Sequence, residues 1–404
     1  MRGAARGRMK ILFTTFTFAP QSNGVAEVVR EQACGLARRG HEVTVATGFD
    51  ARRTAADAFG QLKIHEFKCS GIFGSRAGYT GELAAYREFV ARHETDAIIC
   101  HGWENWSTDL IFPVLARKHA VRVLVSHGIN AHRWRPYRRF SWGLATWGRM
   151  LPYALRLPRS LRCFDQMVFL SPRVDFHRFF DHWLLERTGG PRWSAIPNGC
   201  WPERFAGGKN EFRQRHGLNT EFVVLCVGVY AVTKGQEATL RAFCAANLGA
   251  AVLVFIGNEI NDYARHLQAL AKSWLPADSP SRVLFLERQD RAAIRSAYQD
   301  ADLVMLTSHG ETQPLVLLDA MAAGKPFLSN DVGCVSEFPG GVVVRRQDQL
   351  AATLNALRFD PNRLARLGAA GLAAARNQYH WDNVVDVYDQ MLRRLLQERA
   401  GKSP

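Results

Sequence analysis

Short runs of apolar and β-branched residues alternate with stretches of helical periodicity from one end of this chain to the other. That rhythm marks βα units, whose strands lie parallel because each crossover returns the chain to the same edge of its sheet. In the first half, strands are predicted at 10–15, 42–47, 96–100, 122–126 and 166–170. A second series starts afresh after Phe205, at 222–227, 251–256, 282–286, 302–306 and 326–329. The clearest helix is 24–39, where Val25, Val28, Val29, Gln32, Ala33, Leu36 and Ala37 largely keep a 3.6-residue period until Arg38, Arg39 and Gly40 end it. Two such series predict an α/β protein of two Rossmann-like, doubly wound domains facing each other across a cleft. Ligands of such sheets bind at the carboxyl ends of the strands.

Length supports that division, since 404 residues exceed one ordinary core and fit two of roughly 200 each. No window of about 18 residues is free of charge, so no membrane-spanning helix is expected. The start is basic, but 10–17 reads as a strand without a small-residue cleavage site, so secretion is not expected. The eight cysteines are scattered, with no Cys-x-x-Cys or Cys/His cluster. They read as small buried apolar residues in a reducing compartment, without a disulfide framework or structural zinc.

The charge is local. Lys and Arg outnumber Asp and Glu by 52 to 37, and residues 110–164 hold 11 Lys and Arg and no acid. Within them, Arg133, Arg135, Arg138 and Arg139 interleave with Trp134 and Trp142. Aromatic rings flanked by cations suit a membrane interface or an anionic lipid head group. The same composition could stack and neutralise single-stranded nucleic acid, or could be a solvated arginine face over core tryptophans. A membrane surface is the expected partner here, and nucleic acid is not.

The stretch 308–326 carries the most chemistry. It follows an apolar run short enough to be a buried strand and then reads as a helix: Pro314 suits a first helical position, Gly324 a left-handed stop and Pro326 a barrier to resumption. A helix start after a strand offers unpaired N–H groups and the positive end of a dipole to an anion. Glu311 precedes that start and Asp319 lies inside the helix, although either acid alone is ordinary at such a place. A second polar loop, 228–235, follows the first strand of the second series and contains Gly228 and Lys234. A cation there opposes the helix dipole, which makes sense if an anion shares the site; a solvated surface lysine is the simpler alternative. His127 ends a predicted strand, where it either meets a ligand or bonds a neighbouring carbonyl. Gly24 either lets a ligand approach the backbone or serves an ordinary turn, and the pair Gly257 and Asn258 either lines a pocket or makes a plain turn.

Four segments in order resemble the retaining glycosyltransferases of family 4. Residues 311–319 are similar to that family's Glu-x7-Glu signature, with Asp319 for the second Glu. Residues 18–26 resemble its Pro-x-x-Gly-Gly loop, with Asn23 for the first Gly; 39–45 match the lead into its second strand; and 196–205 resemble its interdomain signature. The resemblance implies a GT-B fold with an acceptor domain at 9–200, a donor domain at 201–378, and a C-terminal helix at 379–404 that packs back on the first domain. It implies a nucleotide-diphosphate sugar, UDP- or GDP-linked, as donor substrate, with no cofactor and no metal. Glu311 would approach the transferred sugar, Asp319 the ribose, His127 the sugar or acceptor, and Asn23 and Gly24 a loop near both. Lys234 would clamp the diphosphate, with Gly228, Thr312, Gln313, Pro314, Leu315, Gly257 and Asn258 around the donor. Val229 stands where the family has a second cation, and Arg288, after the 282–286 strand, is the candidate to replace it. The Asp-x-Asp form at Asp300 and Asp302 lies where a helix turns into a strand and reads as structural. The function expected is a hexosyl transfer to a saccharide, lipid-linked in surface polysaccharide synthesis, in the cytoplasm at the inner face of the membrane. A non-catalytic GT-B scaffold is the alternative.

Overall fold

The computed structural model describes residues 7–54, 59–71, 73, 78–128, 140–208 and 210–401, with backbone alone at 140–147, 149 and 150. Two compact units divide the chain: Met1–Pro197 with Trp381–Pro404, and Asn198–His380.

The first unit is built on β1 (Lys10–Thr14), β2 (Glu42–Gly48), β3 (Lys63–Phe67), a two-residue hairpin pair β4 (Cys69–Ser70) and β5 (Thr80–Gly81), then β6 (Ala97–His101), β7 (Val121–Val125), β8 (Gln166–Phe169) and β9 (Arg192–Ala195). Apart from the antiparallel hairpin pair, these form one parallel sheet in the order β3-β2-β1-β6-β7-β8-β9. The second unit holds β10 (Phe222–Val227), β11 (Ala251–Gly257), β12 (Arg282–Glu287), β13 (Leu303–Leu306), β14 (Phe327–Asn330) and β15 (Gly341–Val344), parallel in the order β12-β11-β10-β13-β14-β15. Central strands are buried on both faces, which is why β6 reads Ala-Ile-Ile-Cys and β10 Phe-Val-Val-Leu-Cys without alternation.

Both sheets reverse direction at an interior point, between β1 and β6 in the first and between β10 and β13 in the second. There the loops leaving two neighbouring strands diverge to opposite faces and open a crevice at the carboxyl ends.

Besides the short hairpin pair β4 and β5, three strands were not anticipated, β3, β9 and β15, and all three are sheet edges. An edge strand has one ladder partner and a wet side, so its sequence need not be a continuous apolar run. Lys63-Ile-His-Glu-Phe67 and Arg192-Trp-Ser-Ala195 show the result.

Asn23 caps the helix Gly24–Arg38, its Oδ1 accepting from Ala26 N at 3.0 Å. Within the same unit this helix packs against Trp381–Ala400, which buries Val384, Val385, Tyr388, Met391, Leu392 and Leu395 and leaves Val387 exposed. The contact is pinned by Arg39 Nε to Asp386 Oδ1 at 2.7 Å and by His41 Nε2 to Asp389 Oδ1 at 2.9 Å. Helix Phe140–Leu161 has Pro152 and Pro158 inside it, and among the described residues no helix is long and apolar enough to cross a membrane.

Candidate functional site

In the second unit, the crevice between β10 and β13 brings together the two loops that the sequence singled out. Lys234 Nζ lies 2.8 Å from Glu311 Oε1, both side chains being partly buried. The approach is imposed by the backbone. The turn Val232–Lys234 ends at Gly235 with φ +63°, and a Cβ there would stand 2.0 Å from the Thr307 carbonyl oxygen, so only glycine lets this loop cross the end of β13. His309 N donates to Thr233 O at 2.9 Å and Thr307 Oγ1 to Gly235 O at 2.7 Å, fastening one loop to the other. Gln236 holds the rest of the first loop: its Nε2 donates to Gly228 O and Val229 O at 3.3 and 3.1 Å, and its Oε1 accepts from Ala231 N.

The Glu311 loop is equally tied. Thr312 O accepts from Cys334 N at 3.0 Å, and Gln313 Oε1 accepts from Asn198 N at 2.5 Å. Gln313 is thus buried against the backbone with its carbonyl occupied, so any donor-facing role falls to its remaining atoms. Pro314 is the cap residue of the helix Leu315–Ala322, not its first helical residue as expected. Its ψ of 116° is extended, and the helix has no side-chain cap at this end. A proline cap has no side-chain acceptor; Leu317 N donates to Pro314 O at 3.2 Å, and the amides of Leu315 and Val316 are left to another acceptor. Asp319 is the fifth helical residue, half-buried, and close enough to Cys200 to add to burial in pushing that thiol up.

Other residues named from the sequence lie elsewhere. Val229, where a second cation was missing, is an exposed apolar side chain. Arg288 adopts φ +52° and directs its guanidinium to Glu259 and Glu287, 4.0 Å from each, so its charge is matched locally rather than joined to Lys234. Gly257 is packed under Tyr230, where an added methyl would come 2.3 Å from the ring, and Asn258 is exposed with its carbonyl accepting from Arg288 N. Asp300 and Asp302 spend their carboxylates on structure: Asp300 accepts from the amides of Asn210, Phe212 and Arg213, and Asp302 from Val223 N and the Arg213 guanidinium. Among the described residues no group of His, Cys, Asp and Glu is arranged to hold a metal ion.

In the first unit, the ends of β6 and β7 set two histidines side by side. His101 Nδ1 and His127 Nε2 are 3.0 Å apart, with ring centroids 5.3 Å apart and planes at 26°. His101 is fully buried and stacked on Phe13 at 5.8 Å. Part of His127 reaches solvent, yet the protein packed round it pushes its imidazole down to about 4, and burial pushes His101 well below its ordinary value. Beneath them Asp181, wholly buried and raised by that burial, accepts from Ser126 Oγ and from Trp103 Nε1 at 3.0 Å. Glu104, in the loop after β6, is held at φ +57°; its N–H donates to Tyr153 OH, which donates in turn to Asp109. Burial pushes Asp109 up to about 6 against the donors Tyr79 and Tyr153. Asn23 and Gly24 are exposed; Asn23 caps the helix and donates from Nδ2 to Thr17 Oγ1, and Gly24 is the first helical residue rather than part of a turn. Arg133, Trp134, Arg135, Arg138 and Arg139 lie outside the described residues, and Trp142 falls within the helix Phe140–Leu161.

Sequence reasoning missed His101, Gln236 and Asp181. A signal existed for the first: His101-Gly102 repeats, at the end of β6, the His127-Gly128 pair that follows β7. Nothing local marks Gln236, an ordinary residue at a helix start, or Asp181, whose partners Trp103 and Ser126 come from distant parts of the chain.

A model of the family described as glycosyl transferases group 1 matches residues 221–359, and one described as glycosyltransferase family 4 matches residues 22–175. The chain is 32% identical over 201 residues to a D-inositol 3-phosphate glycosyltransferase of Xylanimonas cellulosilytica, covering 47% of each chain. It spans about half the length of the first curated relatives it matches. A longer match, 25% identical over 412 residues, covers 95% of this chain and 98% of the GDP-mannose-dependent alpha-(1-6)-phosphatidylinositol monomannoside mannosyltransferase of Mycobacterium tuberculosis. Among solved structures, sucrose-phosphate synthase from Thermosynechococcus elongatus is similar in fold with a TM-score of 0.77 at 18% identity, over 97% of this chain and 100% of that one.

Proposed function

This chain belongs to the glycosyltransferases of group 1 and family 4, with their GT-B fold, and on that premise we propose that it moves a hexosyl group from a UDP- or GDP-linked sugar to a saccharide or lipid-linked acceptor with retention of anomeric configuration. The observation that carries this reading is the 2.8 Å contact between Lys234 Nζ and Glu311 Oε1 at the strand-order reversal of the second sheet. A lone ammonium beside a helix start suits a diphosphate, and a carboxylate beside it suits the hydroxyls or the anomeric carbon of the attached sugar.

In this reading Lys234 and the first-turn amides of Leu315–Ala322 stabilise the charge that builds on the departing diphosphate. On donor binding Lys234 turns from Glu311 to the phosphates, and Glu311 is freed to orient the sugar. Asp319 takes the ribose hydroxyls. No metal ion takes part, because the one Asp-x-Asp segment is consumed by backbone amides and an arginine. The first unit receives the acceptor near His127. A lipid-linked acceptor, made at the inner face of a membrane for a surface polysaccharide, is supported by the basic aromatic segment and by the likeness to the mycobacterial phosphatidylinositol monomannoside mannosyltransferase.

The test is a panel of nucleotide sugars incubated with the protein and assayed for released nucleoside diphosphate. The expected result is release with one donor, lost in Glu311→Ala. No release, together with no heat of binding for UDP or GDP, would establish a scaffold instead.

A further inference from the structure

We infer that Arg53 is a positioning residue: its buried guanidinium fixes the loop that leaves β1, and with it one wall of the crevice at the strand-order reversal of the first sheet. This role rests on the reading above that the first unit receives the acceptor.

Arg53 lies in the connection from β2 to β3. Its side chain is only 5% exposed, and it reaches the ends of three neighbouring strands at once. Nε donates to Ala19 O at 2.7 Å, and Nη2 to Phe18 O over a longer 3.4 Å, both in the loop after β1. Nη1 donates to the carbonyl of Gly48, the last residue of β2, at 3.3 Å and to Glu66 Oε1 in β3. The fully buried Phe18 ring has its centroid 5.9 Å from the guanidinium carbon. Glu66 Oε1 also accepts from Asp50 N at 3.0 Å, so the connection that carries Arg53 is tied to the same carboxylate. A planar fork with N–H groups in fixed directions can serve carbonyls from two strand ends and a carboxylate from a third, whereas a lysine offers one point of charge.

β1 is one of the two strands flanking the reversal, so the loop it releases borders the crevice where ligands of such sheets bind. Much of that loop's order is internal: Thr15 Oγ1 donates to Thr17 O at 2.8 Å, Thr17 Oγ1 to Gln21 Oε1 at 2.5 Å, and Asn23 Nδ2 to Thr17 Oγ1 at 2.7 Å. Those bonds set the loop's own shape, while Arg53 ties its middle to β2 and β3. Phe16, Ser22, Asn23 and Gly24 are exposed, and their placement follows from where that middle is held. Stability alone does not ask for a buried cation here, because replacing a buried ion pair by uncharged side chains of similar size is often neutral. What such a replacement removes is the tie between three chain segments, and a misplacement of about 1 Å at a reacting site can cost roughly 100-fold in rate.

The test separates placement from stability with the double variant Arg53→Met, Glu66→Gln in the full chain. The glutamine keeps an acceptor for Asp50 N, and no lone carboxylate is left behind. This variant is expected to melt close to the parent, while hydrogen–deuterium exchange of peptides covering 15–24 rises roughly tenfold and that of β6 and β7 stays unchanged. With the nucleotide sugar that responds in the panel, kcat should fall roughly 10- to 100-fold, with the donor KM and the calorimetric affinity for UDP or GDP unchanged, because Lys234 and its loop belong to the second unit. Arg53→Lys, which keeps the charge and loses the fork, should show the same loss of kcat, and it carries the comparison if the double variant melts far below the parent. Arg52→Met, which removes the exposed arginine bonded to Asp50, should change neither exchange nor kcat. Unchanged exchange at 15–24, or a kcat that follows the melting temperature back to the parent value in the double variant, overturns the inference. If no nucleotide sugar responds in the parent, the proposed transfer fails, and exchange at 15–24 still decides whether Arg53 holds the loop.

Discussion

At the scale of single residues, the second unit concentrates its unusual chemistry in three side chains. Among the described residues Lys234 is the one cation bonded to Glu311, and Asp319 adds a second acid, so the loop pair is not the strongly positive cradle that a diphosphate would find with an arginine at position 229. Lys234→Ala is therefore expected to lower kcat/KM by roughly 100-fold or more while leaving the melting temperature near that of the parent, because a partly exposed ion pair contributes little to stability. Steady-state kinetics beside thermal melts would check both halves of that statement. Gly235→Ala should behave in the opposite way. A Cβ at φ +63° and 2.0 Å from Thr307 O forces the loop off the end of β13, so urea denaturation should show a loss of at least about 2 kcal/mol. An alanine variant as stable as the parent would mean that the loop crossing is looser than its hydrogen bonds indicate.

At the scale of elements, the helix Trp381–Ala400 is joined to the first sheet through a histidine whose protonation state is set by its partners. His41 is buried, with Met9 N–H donating to its Nδ1 at 3.2 Å and Asp389 accepting from its Nε2 at 2.9 Å, while Arg393 and Arg39 lie close. Nδ1 cannot accept a proton without losing the Met9 bond. Burial holds the ring below its ordinary value of 6.5, the arginines lower it further, and Asp389 opposes them. Below pH 6.5 the unfolded chain thus binds a proton that the folded chain refuses. The folded state is at full advantage above 6.5 and loses stability as the pH falls toward the depressed folded value. Asp109 runs the other way: raised to about 6, it binds its proton in the folded state first and offsets part of that loss as the pH drops below 6. The comparison of parent with His41→Gln isolates the histidine. Unfolding free energies measured from about pH 7.5 to about pH 5.5 should fall more steeply in the parent. Equal slopes would assign the acid sensitivity elsewhere.

Elements also show what a sequence can and cannot announce. The buried strands β1, β2, β6, β7, β8, β10, β11, β13 and β14, and the edge strand β12, carry apolar runs that a local reading recognises. β3 and β9 pair on one side only, so a Lys, a His or an Arg is tolerated in them and their signal fades into the background. The helix boundary at Leu315 shifted by one residue because a proline can either open a helix or precede it, and the choice depends on how the preceding loop is held.

At the scale of the whole molecule, the first unit is discontinuous, closed by the last 24 residues after the chain has completed the second. Seven buried apolar side chains on Trp381–Ala400, at about 1.5–3 kcal/mol each, contribute on the order of 10 kcal/mol, as much as an ordinary domain's entire stability. A chain stopped at His380 should lose the cooperative unfolding of its first unit, and the segment 198–380, which keeps its sheet and core intact, should still fold alone. Circular dichroism melts of the two fragments would decide this. The net charge of +15 acts at the same scale. Replacing Arg133, Arg135, Arg138 and Arg139 by Ser should move the protein from anionic vesicles to the supernatant in a salt-sensitive way. Unchanged sedimentation would remove the basic segment from membrane binding.

The family, the βα rhythm and the choice of Glu311 and Lys234 as candidates were all legible in the linear chain, because each rests on local pattern: buried runs, helix punctuation, and polar residues just past strand ends. Tertiary structure alone decided which of those residues meet. Parallel strands adjacent in the sheet come from distant parts of the chain, so the 2.8 Å contact of Lys234 with Glu311 and the 3.0 Å contact of His101 with His127 exist only because β10 lies beside β13 and β6 beside β7. The same neighbour rule turned Arg288 toward Glu259 and Glu287 and gave Gln313 to Asn198. Side-chain type is a property of the sequence, but its partner, and with it charge and proton position, is a property of the fold.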